Sequence, residues 1–286
     1  MWDLVSKRFD TPIYRLLGDE VALPKVPNAS ALLGNDPAET LALARRANDR
    51  GFRAEKFGWG PNGIGNVAAG VDHVAATREG LGPEGILLVD AGTVWFDAVE
   101  RAAARLDHLR QHGVTWLEEP FVSGAFGAHR ALGARSGTVR LAAGEGCHTP
   151  FQATYPIDHA GIGFIQSDAG RIDGITSAWE VATYAGSRGV QYVNHTFTSH
   201  LALSASLQPF AAQEDHGICE WPIDLTPLAR AITSNQLEPD ANGEITAPDR
   251  PGLGMKVDLD GVHPFVVETE ITVRGEVLYR APELRA

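Results

Sequence analysis

The sequence predicts an α/β fold in which parallel strands, flanked by outer helices, close into a barrel. Three observations carry that prediction. Strand-like and helix-like segments alternate from about residue 24 to residue 222. Seven successive strand-like runs each end in a titratable side chain: Lys56, Asp90, Glu118, Glu145, Asp168, His195 and Glu220. These residues are spaced 34, 28, 27, 23, 27 and 25 apart, close to the ~30 residues of one strand–helix repeat. Parallel barrel strands end on one face, where sites are built.

The elements follow in order. A first strand is expected within 26–33, then 52–56, 86–90, 115–118, 140–145, 163–168, 190–195 and 217–220. Residues 35–51 read as a helix with Asp36 as N-cap, Pro37 at the first helical position and Gly51 past the end. Residues 95–113 read as one helix ended by Gly113. After residue 222 the repeat stops, and 264–280 alternates like a β-hairpin or edge strand. The chain thus divides into a leading segment 1–23, a barrel 24–222 and a C-terminal excursion 223–286.

Composition excludes several function classes. The net charge of −12 and pI of about 5.2 argue against nucleic acid or an anionic membrane as the main partner. Two cysteines, Cys147 and Cys219, form neither a disulfide framework nor a zinc ribbon. No apolar run approaches the ~18 residues of a membrane span, and residues 1–20 do not read as a signal peptide. A soluble, cytoplasmic protein is expected.

The polar strand ends suggest a chemistry. In "VTWLEEPF", 114–121, neighbouring side chains on a strand point to opposite faces, so at most one of Glu118 and Glu119 enters the barrel. Asp90, Glu118 and Glu145 offer hard oxygen donors without histidine or thiol, a set that suits Mg²⁺ rather than zinc. Without a cation they would raise one another's pKa values. Lys56 would stand on one side of the metal. On the other, Asp168 would fix the tautomer of His195. Two bases flanking a Lewis acid suit proton abstraction α to a carboxylate, with a stabilised enolate. Glu220, if protonated, could donate a hydrogen bond to the substrate carboxylate. Trp59 and His148 are candidates for substrate contact, Trp59 at the barrel mouth and His148 just after Glu145. No base near Cys147 marks it as a nucleophile.

The motifs "KFGWGP" 56–61, "LLVDAG" 87–92, "WLEEP" 116–120, "AAGE" 142–145, "QSDAGRIDGIT" 166–176, "NHTFTSHLALSASL" 194–207 and "PDRPGLG" 248–254 occur in an order that resembles the enolase superfamily. Within it the likeness is to the mandelate racemase/muconate lactonizing group and its acid-sugar dehydratases. The resemblance implies a modified TIM barrel of the (β/α)7β type. It implies Asp90, Glu118 and Glu145 as Mg²⁺ ligands, His195 as general acid/base oriented by Asp168, and Lys56 facing it across the substrate. Arg171 falls where a basic residue often follows the aspartate. A homo-oligomer acting on a small-molecule carboxylate, a sugar acid, is also implied.

The sequence departs from the family pattern at several positions. Ala54 stands where the first lysine of a Lys-x-Lys element is usual, which favours dehydration over two-base racemisation. Asn194 replaces a proline often found before the histidine, and a proline usual before the aspartate is also missing. Residues 1–20 resemble the helix that follows the family's N-terminal α+β capping domain, so most of that cap is expected to be lacking. The leading expectation is an Mg²⁺-dependent acid-sugar dehydratase. The alternatives are a racemase or epimerase using Lys56 and His195, and a catalytically silent relative that binds or assembles.

Overall fold

A computed structural model describes residues 1–281. Eight strands form one sheet: β1 (Val26–Leu32), β2 (Ala54–Gly58), β3 (Ile86–Asp90), β4 (Val114–Glu118), β5 (Arg140–Ala143), β6 (Phe164–Ser167), β7 (Gln191–Asn194) and β8 (Ile218–Pro222). Their order is β7-β6-β5-β4-β3-β2-β1-β8, with parallel pairing throughout. Because β8 lies beside β1, the sheet is a nearly closed barrel. A side chain stitches the remaining gap. Asn194 Nδ2 donates to the Glu220 carbonyl at 3.2 Å, and the Glu220 amide donates to Asn194 Oδ1 at 3.0 Å.

Period-2 alternation explains why polar side chains crown the strands. Leu88, Trp116, Ala142, Phe164 and Val193 form an inner cluster of their own, with Ile86 and Ile218 against it. Two residues beyond Leu88, Trp116, Val193 and Ile218 stand Asp90, Glu118, His195 and Glu220. The inner layer is the apolar floor on which these groups rest. Trp116 is fully buried and packs on Phe164 with ring centroids 4.8 Å apart. Its truncation to alanine would cost about 3–5 kcal/mol. The larger core cluster lies between the strands and the outer helices.

The helix Pro37–Asp49 starts as its sequence dictates, with Asp36 Oδ1 accepting from the Glu39 amide at 2.8 Å. The stretch 95–113 differs from expectation. It forms two short helices, Val99–Ala103 and Leu106–Gln111. Trp95 is buried, and Arg105 lies over its ring at 4.6 Å while donating to the Gly65 carbonyl at 3.1 Å. These tertiary contacts hold the chain at the break, overriding a continuous helical pattern.

The leading helix Trp2–Arg8 is tied to the C-terminal excursion, where the Leu253 amide donates to Asp3 Oδ1 at 2.9 Å. Late in the excursion, β9 (Glu270–Val273) and β10 (Glu276–Arg280) pair as an antiparallel hairpin, exposed along both strands. Among the described residues no helix is long and apolar enough to cross a membrane.

Candidate active site

The strand ends converge on a cavity of about 760 Å³ at the barrel mouth. Lys56, Trp59, Asp90, Glu145, Arg171, His195 and Glu220 line it, while Glu118 lies deeper, fully buried. One carboxylate oxygen from each of Asp90, Glu118 and Glu145 lies within 4.8 Å of the others. Close packing brings β2 and β3 together here. A Cβ on Gly58 would meet Asp90 Cβ and its carbonyl oxygen at 2.5 Å, so only glycine fits.

Each ring member is held by named partners. Asp90 Oδ1 accepts from the Gly92 amide at 2.8 Å and Oδ2 from Trp59 Nε1 at 3.1 Å. Glu118 Oε1 accepts from Lys56 Nζ at 2.8 Å and Oε2 from Trp116 Nε1 at 3.2 Å. Lys56 Nζ also lies 2.7 Å from Glu220 Oε1, and Glu220 Oε2 accepts from the Thr196 amide at 2.6 Å. Glu145 meets Arg171 Nη1 at 3.1 Å and His195 Nε2 at 3.2 Å. Asp168 Oδ2 lies 2.9 Å from His195 Nδ1, so the aspartate orients the ring and Nε2 faces the ligand side.

The electrostatics follow from crowding. Burial raises the Asp90 carboxyl above its usual range, against the pull of Lys56. Burial, with Asp90 and Glu220 nearby, pushes Glu118 up to about 8 despite Lys56. Glu145 is driven the other way: hydrogen bonds from His195 and Arg171, with Lys56 nearby, outweigh burial and hold it at about 2. Burial disfavours the charged imidazole, but Glu220, Asp168 and Glu145 raise His195 to about 10. Burial likewise opposes the charge on Lys56, yet Glu118, Glu220 and Asp90 raise it well above its ordinary value. Five carboxylates thus face Lys56, His195 and Arg171, and two of the three clustered ones are raised. That oxygen-only set, short of positive charge, fits a hard divalent cation.

Other candidate residues divide. Trp59 is half exposed and walls the cavity. Arg171 reaches the rim, pairs with Glu145 and lies 5.6 Å from the Phe197 ring. His148 is exposed and absent from the cavity lining. The reason is the turn after β5. The Cys147 amide bonds back to the Gly144 carbonyl at 3.0 Å, which buries Cys147 and sends His148 outward.

Sequence reasoning missed Phe197, which flanks His195 with ring centroids 5.4 Å apart, and it missed the burial of Glu119. Glu118 enters the barrel as alternation requires. Glu119 has a φ of 40° and is 9% exposed. It is buried on the outer side of the wall, where burial and the charges of Glu145 and Asp90 push it up to about 7. No local signal in the sequence marks it, because its burial depends on packing beneath the helices Phe126–Ser136 and Pro150–His159.

A family model described as enolase C-terminal domain-like matches residues 39–261. A crystal structure described as a predicted mandelate racemase from Rhodobacter sphaeroides superposes with a TM-score of 0.93. It is 51% identical, over 99% of this chain and 72% of that one. D-galactarolactone cycloisomerase from Agrobacterium fabrum is 26% identical over 93% of this chain and 71% of its own length. D-galactonate dehydratase from Variovorax paradoxus is 28% identical over 90% of this chain and 69% of its own.

Proposed function

Because the chain belongs to the enolase C-terminal domain-like family, among the mandelate racemase-like members of the enolase superfamily, we propose that it is an Mg²⁺-dependent acid-sugar dehydratase. Asp90, Glu118 and Glu145 would hold the ion. When bound, it supplies positive charge where a substrate carboxylate becomes an enolate. A neutral His195 Nε2 would take the α-proton, with Asp168 steadying the imidazolium; a cation taking up the charge of Glu145 would remove one of the causes that raise the ring to about 10. The same imidazolium returns a proton to the β-hydroxyl, which leaves as water, and the enol product relaxes to a 2-keto acid. Arg171 would border the carboxylate end, and Trp59 and Phe197 would wall the sugar. Burial opposes the charge of Glu220, but Lys56 and His195 hold its carboxyl below the ordinary range, so Glu220 would hold Lys56 rather than donate to the substrate carboxylate as expected from the sequence. A small sugar acid is the proposed ligand.

The observation that carries this reading is the Asp168–His195 pair at 2.9 Å beside the three clustered carboxylates. Racemisation would require Lys56 as an opposed neutral base. Lys56 is clamped between Glu118 at 2.8 Å and Glu220 at 2.7 Å, and Ala54 stands where the first lysine of a Lys-x-Lys element is usual, which together favour dehydration. Cycloisomerisation shares the first proton transfer, and the likeness to a galactarolactone cycloisomerase keeps it as the second reading.

The test is a 2-keto acid assay over a library of mono- and diacid sugars and their lactones with Mg²⁺. Keto product from one or a few acids, lost in Glu145→Gln, is expected. Ring-opened product from lactones alone would replace the dehydratase with the cycloisomerase.

A further inference from the structure

Trp59 stands just past the end of β2 with a φ of 65°. Few non-glycine residues adopt such a backbone, and those that do are fixed by their surroundings, often at functional sites. The Trp59 amide donates to the Asp90 carbonyl at 3.1 Å, which carries the β2–β3 pairing one residue beyond the strand. Alternation after the inward Lys56 would send Trp59 to the outer face. The left-handed turn instead leaves the indole on the cavity wall, against Asp90 and Gly92.

We infer that Trp59 is a positioning residue for the cation site, its indole N–H fixing Asp90 in the orientation that a metal ion needs. This role goes beyond walling the sugar, and it rests on the reading of Asp90, Glu118 and Glu145 as Mg²⁺ ligands.

Three observations carry it. Each oxygen of Asp90 is held by a neutral donor, Oδ2 by Trp59 Nε1 at 3.1 Å and Oδ1 by the Gly92 amide at 2.8 Å. An indole N–H only donates and bears no charge. It directs the carboxylate without supplying positive charge that would compete with a cation, whereas Arg171 on Glu145 and Lys56 on Glu118 do supply it. The place of the ring is also built. A Cβ on Gly92 would lie 2.9 Å from Trp59 Cε2, so a glycine with a φ of 60° makes room for the indole. Core packing, finally, does not account for the residue, because Trp59 is 51% exposed. Trp116 makes the corresponding bond to Glu118 Oε2 at 3.2 Å, but it is fully buried in the apolar floor. Of the two indoles only Trp59 borders the cavity.

The test is calorimetric Mg²⁺ binding to the whole chain. Trp59→Phe keeps an aromatic ring beside Gly92 and removes the N–H donor. Its Mg²⁺ affinity should fall by about 10-fold or more, as when other groups that orient a metal ligand are lost. A wild-type readout stands apart from any folding defect. The Trp59 Nε1–H resonance of ¹⁵N-indole-labelled protein should shift as Mg²⁺ saturates the site. Equal affinity in Trp59→Phe, or an unmoved Nε1–H at saturation, would overturn the role and leave the cation site standing. A wild-type chain that binds no Mg²⁺ would remove the cation site itself, and this role with it.

Discussion

The inner and outer faces of the barrel wall bury charge in opposite ways. On β2, Lys56 points inward and Glu55 outward, and both are almost fully buried. Lys56 is held by two carboxylates at 2.7–2.8 Å. Neither oxygen of Glu55 has a partner. At the end of β4 the contrast recurs: Glu118 is paired with Lys56 inside, while Glu119, just past the strand, sits outside, raised by burial. The inner face keeps its charges by networking them, and its excess of carboxylates calls for a cation. The outer face keeps its acids by holding their protons. Charge on the inner face therefore suits the proposed binding and chemistry, and on the outer face ionisation works against the fold.

The largest expected effect lies on the inner face. Glu118→Gln replaces a charged member of the proposed cation site by a neutral amide and removes half the clamp on Lys56. Turnover should fall by ~10³-fold or more, and calorimetric Mg²⁺ binding should weaken by at least ~10-fold. Unchanged Mg²⁺ affinity would break the claim that the inner face is short of positive charge.

Glu55→Gln tests the outer face. Burial pushes Glu55 up to about 8 from an ordinary 4.5. The unfolded chain releases this proton near pH 4.5, whereas the folded chain retains it to about pH 8. Stability is thus undiminished below pH 4.5, falls as pH rises between those values, and is level above them. At pH 8.5 the wild type should be weaker than Glu55→Gln by on the order of 4 kcal/mol, and at pH 4.5 by almost nothing. Urea unfolding at the two pH values measures the difference.

Glu119→Gln sharpens the contrast at a smaller scale. Its pKa of about 7 predicts roughly three-quarters of that gain at pH 8.5. Added Mg²⁺ should shrink the gain further, because the charges of Glu145 and Asp90 help to raise this acid. Glu55, with no such cause, should not respond. The smallest effect is expected at the seam. Asn194→Leu loses the two bonds to the Glu220 backbone, costing about 2 kcal/mol in urea unfolding.

These contrasts mark how far the sequence can be read. The inner ring was legible because alternation is local: an apolar inner residue two places before Asp90, Glu118, His195 and Glu220 sets their side. The regular spacing made the barrel legible in the same way. The outer face was not, since an outward side chain meets solvent or a helix depending on distant packing, as at Glu119 and Glu55. His148 misled because nearness to Glu145 in sequence does not survive the turn that buries Cys147. The helix expected over 95–113 failed where Arg105 is committed to Trp95 and Gly65. Phe197 follows His195 by two residues, yet the ring pattern, built on strand-end titratable groups, had no place for it.

The most direct test of the inner-face account is solvent deuterium taken up by D-galactonate and related acids, at the α-carbon of recovered acid or at C3 of the 2-keto product, measured by NMR with Mg²⁺ present and after its removal. The account predicts incorporation into substrate or keto product with Mg²⁺, none without it, and a loss of ~10²–10⁴-fold in His195→Asn. Exchange that persists in His195→Asn, or without a divalent cation, would contradict it.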